Sequence, residues 1–255
     1  MMLKSVSLLG VNVSRVNSVF AAAQICQWAA HKHRTYVCVA PAKTLVDAQR
    51  DPDYRAAVNA AGMVTPDGMP VVWLALAKGC KDMMRTYGPD LMQEVCKQGQ
   101  SAGLRHFFYG STKETLAKLE GCLKVRYPKI VIAGRFAPGF QEDIAIKDRE
   151  GVDTINHSRA DILWVGLGSP KQDFWMHHHR PLLDVPVIVG VGAAFDFLSG
   201  AKPQAPIWMQ KSGLEWLFRL ICEPRRLWKR YLIGNSLFIY YVIKDCFKFK
   251  GRVHA

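Results

Sequence analysis

The sequence predicts an α/β fold: a Rossmann-like, largely parallel sheet flanked by helices, with a helical C-terminal appendage. Short apolar runs rich in β-branched and aromatic residues recur along the chain, and segments of helical length separate them. These runs are apolar on both faces, as parallel strands covered by helices on both sides require. After Gly200 such runs stop, and a basic, aromatic segment with helical patterning follows.

Six of these runs are the predicted strands, and seven other segments are the predicted helices. Ser111-Thr112 and Ser169-Pro170 supply start signals for two of the helices. The strands are SVSLL at 5–9, TYVCVA at 35–40, RHFFYG at 105–110, KIVIAG at 129–134, DILWVGLG at 161–168 and VPVIVGVG at 185–192. The helices are predicted at 17–33, 52–61, 69–79, 88–101, 112–126, 141–147 and 171–180.

The change in composition after Gly200 divides the chain into a predicted α/β catalytic core, residues 1–200, and a basic, aromatic appendage, residues 201–255. Residues 211–255 contain ten Lys and Arg residues but three acids, so they carry +7 of the formal net charge of +13. Such an asymmetry indicates an anionic partner. A nucleic acid, an anionic membrane surface and a phosphate-bearing ligand all meet this requirement.

The segment from Arg225 to Leu232 is strongly amphipathic. Its bases share one predicted helical face, and its apolar residues share the other. The basic face holds Arg225, Arg226, Lys229 and Arg230, and the apolar face holds Leu227, Trp228, Tyr231 and Leu232. Two interpretations stay open: a terminal helix that packs its apolar side on the core, and a helix that lies in a membrane interface.

The seven cysteines are scattered and include no C-x-x-C pair. This pattern predicts neither a disulfide framework nor a thiolate zinc site, and it favours a reducing cytoplasm. The longest runs free of charge and histidine, 16–30 and 231–243, are shorter than the ~18–20 residues that a membrane-spanning helix needs. We therefore expect no helix that crosses a membrane.

Three predicted strands end in stretches rich in Gly and small residues. They are FYGST at 108–112, WVGLGSPKQ at 164–172 and VGVGAAFDF at 189–197. In open parallel sheets, ligands bind outside the carboxyl ends of the strands, where helix N-termini offer N–H groups to anions. Each stretch is a candidate phosphate site, although Gly at such turns also serves plain backbone geometry.

Asp67 lies between Pro66 and Gly68, at the start of an apolar segment. Spacing alone favours a helix cap, because Pro70 can occupy the first turn of the helix predicted at 69–79. A carboxylate fixed at the corner between a strand and a helix is also held at the rim where ligands bind, as a general base must be. Both interpretations of Asp67 stay open on spacing.

Two other patterns are typical of metal sites but have simpler explanations. Asp51-Pro52-Asp53 matches a D-x-D pattern that can hold a divalent ion, yet acids around a proline also begin helices. The residues His177, His178 and His179 are adjacent, so on a helix they point about 100° apart and cannot converge on one ion. We expect no metal site.

Four blocks of this sequence resemble the WecG/TagA/CpsF family of bacterial glycosyltransferases, glycosyltransferase family 26, and the similarity covers nearly the whole chain. The longest block is GVGAAFDFLSGAKPQAPIWMQKSGLEWLFRLICEPRRLWKRYL at 190–232. The others are WVGLGSPKQDFWM at 164–176, TPDGMPVVW at 65–73 and RTYGPDL at 85–91. The chain looks most like members that build polyprenyl-linked repeat units of exopolysaccharide.

This resemblance implies an inverting, metal-independent transfer of a sugar from a UDP-sugar to a sugar on undecaprenyl diphosphate, without a cofactor. The reaction would take place at the cytoplasmic face of the inner membrane, with the appendage closing over the active site. By the same resemblance Asp67 is the general base. Backbone N–H groups and cationic side chains would then stabilise the charge on the departing diphosphate. Homo-oligomerisation is left open.

The resemblance also assigns the remaining site residues. Arg85 and Gln172 join Asp67 as the catalytic set. The substrate-binding set comprises Gly110, Ser111, Gly166, Gly168, Lys171, Gly192, Arg219, Arg225, Arg226 and Arg230.

The sequence departs from the family pattern at two places. Many relatives have Thr-x-Asn after the second strand where this chain reads Ala40-Pro41-Ala42, and a double-Gly turn where it reads Gly110-Ser111. The role of that Thr therefore cannot be carried over. Two alternatives to this function are a metal-dependent sugar-nucleotide transferase that uses Asp51 and Asp53, and a nucleic-acid-binding protein that uses the basic tail.

Overall fold

The computed structural model describes residues 3–139 and 147–253, except for the side chains of residue 230 and residues 248–253. The described chain starts with an antiparallel hairpin of β1 (Ser5–Leu8) and β2 (Val11–Ser14), which forms a separate two-stranded sheet and is not hydrogen-bonded into the main sheet as a strand. The prediction that 5–9 belongs to the parallel sheet is therefore wrong. The reason is local: Leu9 and Gly10 both have positive φ, which turns the chain straight back on itself.

The main sheet confirms the α/β fold class. In the described ranges it has six strands, all parallel, in the order β4-β3-β8-β7-β5-β6. These strands are β3 (Thr35–Ala40), β4 (Met63–Pro66), β5 (Arg105–Gly110), β6 (Val131–Phe136), β7 (Ile162–Gly166) and β8 (Val187–Gly190). The sequence did not predict β4, because its four residues run directly into the Asp67 turn and give too short a pattern.

Helices cover both faces of this sheet. The predicted helix starts are confirmed: Thr112 caps α6 through the Thr115 N–H at 3.2 Å, and Pro170 immediately precedes α8. Three core helices were not predicted, α2, α7 and α9, and the helix predicted at 141–147 lies almost wholly outside the described residues. The core helices are α1 (Ser18–Ala30), α2 (Ala42–Arg50), α3 (Pro52–Asn59), α4 (Met69–Ala77), α5 (Gly88–Gly99), α6 (Lys113–Arg126), α7 (Arg149–Ser158), α8 (Lys171–His179) and α9 (Ala194–Leu198).

The sheet separates two hydrophobic layers. Along β3, Tyr36 and Cys38 face one layer while Val37 and Val39 face the other, as the two-residue period of a strand requires. Both layers are built almost entirely from residues that precede Gly200. The core therefore has its own hydrophobic interior, and the carboxyl ends of its strands meet at a single edge.

The appendage is helical, as predicted, and consists of α10 (Ile207–Lys211), α11 (Glu215–Cys222) and α12 (Pro224–Val253). Phe238, Tyr241 and Val242 of α12 pack against the first hydrophobic layer. Gly213, in the turn before α11, lies so close to the Trp73 ring that an added Cβ would come within 2.6 Å of it. The appendage thus contacts the core both along α12 and next to α4.

Only part of the apolar face predicted for residues 225–232 is buried. Leu227 is buried, but Trp228 and Leu232 are exposed, so the predicted apolar face does not pack on the core as a unit. The reason is that one side of α12 faces a cleft while another faces solvent. No helix in the described ranges is both long and apolar enough to span a bilayer.

Candidate active site

A cleft of about 360 Å³ lies between the carboxyl edge of the sheet and the appendage. Strand ends and the turns after them form one wall, and α11 with the first half of α12 forms the other. Most residues that the sequence singled out line it: Asp67, Arg85, Ser111, Gly166, Gly168, Gln172, Gly192, Arg219 and Arg226. The predicted site is therefore brought together from six separate stretches of chain.

Four predicted residues stand apart from this lining. Gly110 lies behind Ser111, where an added Cβ would come within 2.9 Å of the Gly166 backbone, so its role is the close approach of two strand ends. Lys171 begins α8, beside the cleft rather than in its wall. Arg225 is exposed on α12 and does not line the cleft, and the side chain of Arg230 lies outside those described.

Asp67 follows β4 directly, and its N–H donates to the Ala40 carbonyl at 3.1 Å, which extends the pairing with β3 by one step. The helix-cap interpretation is wrong: the cap of α4 is Gly68, with φ of +82°, and no side chain bonds to it. Gly68 makes the turn into α4 through its own backbone conformation, without a hydrogen bond from a capping side chain. The Asp67 carboxylate is thus left to face the cleft.

The surroundings of Asp67 hold its pKa near neutrality. Burial is the main cause, and the nearby Glu215 carboxylate adds to it; together they raise the pKa of Asp67 to about 7. Arg85 and Arg219 act in the opposite direction, and Asp90 adds a weaker upward effect. A carboxylate with such a pKa can accept a proton efficiently near physiological pH.

Arg85 is held by the appendage rather than left open toward the cleft. Its Nη2 lies 2.5 Å from Glu215 Oε2, and its Nη1 donates to Gln210 Oε1 at 3.0 Å. The Tyr87 ring lies beneath the guanidinium, 4.0 Å from Cζ to the ring centroid. Arg85 therefore links the core to α10 and α11, next to Asp67.

Sequence reasoning missed Glu215. It lies in a basic segment, and its partner Arg85 is 130 positions away along the chain, so no local pattern joins them. One signal was present: Glu215 and Arg219 are four residues apart on α11 and so share a helical face. Both line the cleft.

Gln172 connects two of the glycine turns. Its Oε1 accepts from the Gly168 N–H at 3.1 Å and from the Gly192 N–H at 3.0 Å, while its Nε2 donates to Ser169 Oγ at 3.3 Å. The two predicted phosphate donors Gly168 and Gly192 therefore already have an acceptor. Buried Gln172 fixes the shape of the turns that form the floor of the cleft.

Arg226 is oriented by a chain of charges at the other end of the cleft. It pairs with Glu223, which also accepts from Lys202 at 3.3 Å, and Lys202 pairs with Asp196 of α9 at 3.1 Å. Both Lys202 and Asp196 line the cleft with Arg226. The cleft thus presents cations whose present partners are carboxylates, which a bound anion can replace.

The two candidate metal patterns have structural roles. Asp51 Oδ1 accepts from the Tyr54 N–H at 3.0 Å, which confirms the helix-opening interpretation, and exposed Asp53 lies in the first turn of α3. Of the three adjacent histidines, His177 contacts Tyr36 Oη at 3.1 Å and His179 contacts the Trp175 carbonyl at 2.9 Å. In the part of the chain that the structure describes, no three His, Cys, Asp or Glu side chains form a metal-binding group.

Comparison with known proteins agrees with this architecture. A model of the family described as "Glycosyl transferase WecG/TagA/CpsF family" matches residues 6–252. Proteins named N-acetylglucosaminyldiphosphoundecaprenol N-acetyl-beta-D-mannosaminyltransferase are among the similar ones. That of Bacillus spizizenii is 35% identical over 186 residues, which are 73% of this chain and 70% of the relative. Those of Bacillus subtilis and Staphylococcus aureus are 32% and 29% identical, over 72% and 77% of this chain and 69% and 75% of theirs.

The family match spans both the α/β core and the appendage, so it includes both walls of the cleft. The resemblance carried by the four sequence blocks is thereby confirmed. This chain belongs to the WecG/TagA/CpsF family of glycosyltransferases.

Proposed function

We propose that this protein is an inverting glycosyltransferase that moves a sugar from a UDP-sugar to a sugar carried on undecaprenyl diphosphate, with Asp67 as the general base. The observation that carries this proposal is a carboxylate with a pKa of about 7 in a cleft that arginines enter from both the core and the appendage. The names of the relatives support a sugar on undecaprenyl diphosphate as the acceptor. The pathway would be exopolysaccharide or other cell-surface polysaccharide synthesis.

In the proposed reaction, the Asp67 carboxylate takes the proton of the acceptor hydroxyl as its oxygen attacks the anomeric carbon of the donor. The new C–O bond forms on the face opposite the bond to the diphosphate, which breaks and releases UDP. Attack from the opposite face inverts the configuration at the anomeric carbon. Asp67 starts ionised and ends protonated, and it returns the proton to solvent after the product leaves.

The departing diphosphate gains negative charge that the cleft must balance. Arg219 and Arg226 line the appendage wall, and the Ser111 turn and the turn that Gln172 fixes lie across from them. Preorganised cations and dipoles of this kind stabilise a developing anion without rearranging at the moment of reaction. In this proposal the diphosphate displaces Glu223 from Arg226.

The direct test supplies the protein with N-acetylglucosamine on undecaprenyl diphosphate, or glucose on the same carrier, and a panel of UDP-sugars. The panel includes UDP-N-acetylmannosamine, because the relatives are named for that sugar. We expect one donor to give a lipid-linked disaccharide and free UDP. If no pair of substrates gives either the lipid-linked disaccharide or free UDP, the proposal is wrong.

Metal independence leads to a second expected result. Transfer should continue at the same rate in excess chelator, because the cationic side chains of the cleft, rather than a divalent ion, balance the diphosphate. The measurement is the initial rate with and without chelator, after dialysis against the same chelator. Loss of activity that added Mg²⁺ or Mn²⁺ restores would favour the alternative of a metal-dependent transferase that uses Asp51 and Asp53.

The outer surface of the appendage supports peripheral attachment to the cytoplasmic face of the membrane. Aromatic and aliphatic side chains are exposed there beside bases, a combination typical of helices that lie in an interface. The exposed apolar residues include Ile207, Trp208, Ile221, Trp228 and Leu232, and their basic neighbours in the chain include Lys211, Arg225 and Lys229. An acceptor on a lipid carrier would then meet a cleft already at the membrane surface.

If the appendage attaches the protein to a membrane, a substitution on its exposed surface should weaken the binding of the protein to lipid vesicles. The Trp208→Ser variant should bind anionic vesicles several-fold more weakly in a sedimentation assay, because Trp208 is 62% exposed and its indole would leave the interface. Val125→Ser is the matched control, since Val125 is 84% exposed but lies on α6 of the core. Added salt should weaken binding, as each base near the surface contributes about 1 kcal/mol. Equal binding by both variants, or tighter binding to single-stranded nucleic acid than to vesicles, would contradict attachment.

A further inference from the structure

We propose that Glu215 is a positioning residue for the catalytic base: by pairing with Arg85 as the appendage closes, it strengthens Asp67 as the group that takes the acceptor proton. This inference rests on the proposed function, because it takes Asp67 to be the base. It extends that function to regulation of the same site, since the strength of the base then depends on whether the appendage covers the cleft.

The contacts of Arg85 show that the residues which would tune the strength of Asp67 as a base lie at the boundary between core and appendage. Its two terminal nitrogens bond to Glu215 and Gln210, both from the appendage, whereas Asp90 of the core is 4.0 Å away. The side chains of Arg85 and Glu215 are only 13% and 17% exposed, so solvent screens their interaction weakly. The pair forms only when α11 lies against the core.

The charges around Asp67 show what the pair does. Arg85 lies in the segment between α4 and α5, Asp90 in the first turn of α5, and Glu215 and Arg219 on α11. Without Glu215, burial and Asp90 would still oppose the two guanidinium groups, but the pKa of Asp67 would be lower and the carboxylate a weaker base. The other charged or titratable residues that line the cleft are Lys43, Tyr87, Asp196, Lys202, Arg226 and Tyr231.

Glu215 changes this balance in two ways. It neutralises Arg85 directly through the 2.5 Å ion pair, and its own negative charge disfavours a second ionised carboxylate nearby. Burial of Asp67 under the closed appendage acts in the same direction, and the result is the pKa of about 7. The base therefore reaches its working strength only when the appendage has closed, when the substrates are shielded from water.

The experiment measures the pH dependence of kcat/KM for transfer in the full-length protein and two variants. Glu215→Gln keeps the size of the side chain and an oxygen that can accept from Arg85, but removes its charge. We expect the acidic limb of the profile, near pH 7 in the parent protein, to move to lower pH by ~1 unit, since a neighbouring like charge raises a carboxylate pKa. The rate at high pH should fall several-fold, because a weaker base transfers the proton less readily.

The matched control is Asp245→Asn. Asp245 also forms an ion pair between appendage and core, with Lys78 at 2.8 Å, but on the outside of α12 and α4, away from the cleft. This variant should leave the acidic limb where it is. A third variant, Arg85→Met, should shift the limb in the opposite direction, to higher pH, and it keeps the test decisive if Glu215→Gln folds poorly.

The outcomes separate this inference from the function on which it rests. If Glu215→Gln and Arg85→Met fold normally and leave the acidic limb unchanged while Asp67→Asn is inactive, Glu215 is structural and the inference is wrong, but the proposed function stands. If Asp67→Asn keeps its activity, the proposed function itself is wrong. Glu215→Asp, which restores the charge on a shorter side chain, should bring the limb back toward that of the parent.

Discussion

The Asp67→Asn variant should transfer sugar about 10²–10⁴-fold more slowly than the parent protein, with little change in Tm. The asparagine amide has nearly the size of the carboxylate but cannot take the acceptor proton. Because Gly68, not Asp67, caps α4, the substitution removes no helix-capping bond. The β3–β4 pairing uses the Asp67 backbone N–H and is also retained.

The burial of Asp67 also predicts how the Asp67→Asn substitution changes the stability of the protein. A neutral asparagine avoids the cost of enclosing a charge beside Glu215, so the Tm of the variant should equal or slightly exceed that of the parent. The matched control is Asp53→Asn, an exposed acid in the first turn of α3, which should retain full activity. An Asp67→Asn variant that loses stability but turns over normally would assign Asp67 a structural role.

Much of the site was predictable because one rule of parallel sheets locates it. Residues that follow parallel strands must gather at the carboxyl edge, so the Gly-rich stretches that end β5, β7 and β8 could be assigned to one edge from the sequence, whereas Asp67, after the unpredicted β4, joined the site through the family resemblance. The family resemblance then added arginines from the appendage, and the structure brings Arg219 and Arg226 into the same cleft.

The remainder depends on contacts between distant residues that no local pattern encodes. The resemblance placed Gln172 in the catalytic set, but it could not show that the Gln172 Oε1 accepts from Gly168 and Gly192, which lie on two different turns. The pairing of Glu215 with Arg85 requires α11 to lie on the core, and the sequence predicts α11 without its docking position. For the same reason, periodicity could not show that α12 exposes Trp228 while burying Leu227.

Removal of residues 201–255 should leave a folded core that transfers sugar at least about 10³-fold more slowly than the full chain. The folding expectation follows from the two hydrophobic layers, to which the appendage adds the partly buried Phe238, Tyr241 and Val242 at the margin of the first layer. The truncated protein should therefore still unfold cooperatively, at a lower Tm, as circular dichroism would show.

The loss of activity in the truncated core has a cause that point variants can isolate. Truncation removes Arg219, Arg226 and Glu215 together, and it opens the cleft to water, which weakens every remaining electrostatic interaction. In the full chain, Arg219→Ala should by itself lower kcat by about 10²-fold, the usual effect of removing one group that stabilises a developing anion. Since Arg219 lies 5.5 Å from the Phe197 ring centroid and is not buried, this variant should fold normally. A truncated core with full activity toward the lipid-linked acceptor would show that the appendage neither closes the cleft nor contributes charge to the reaction.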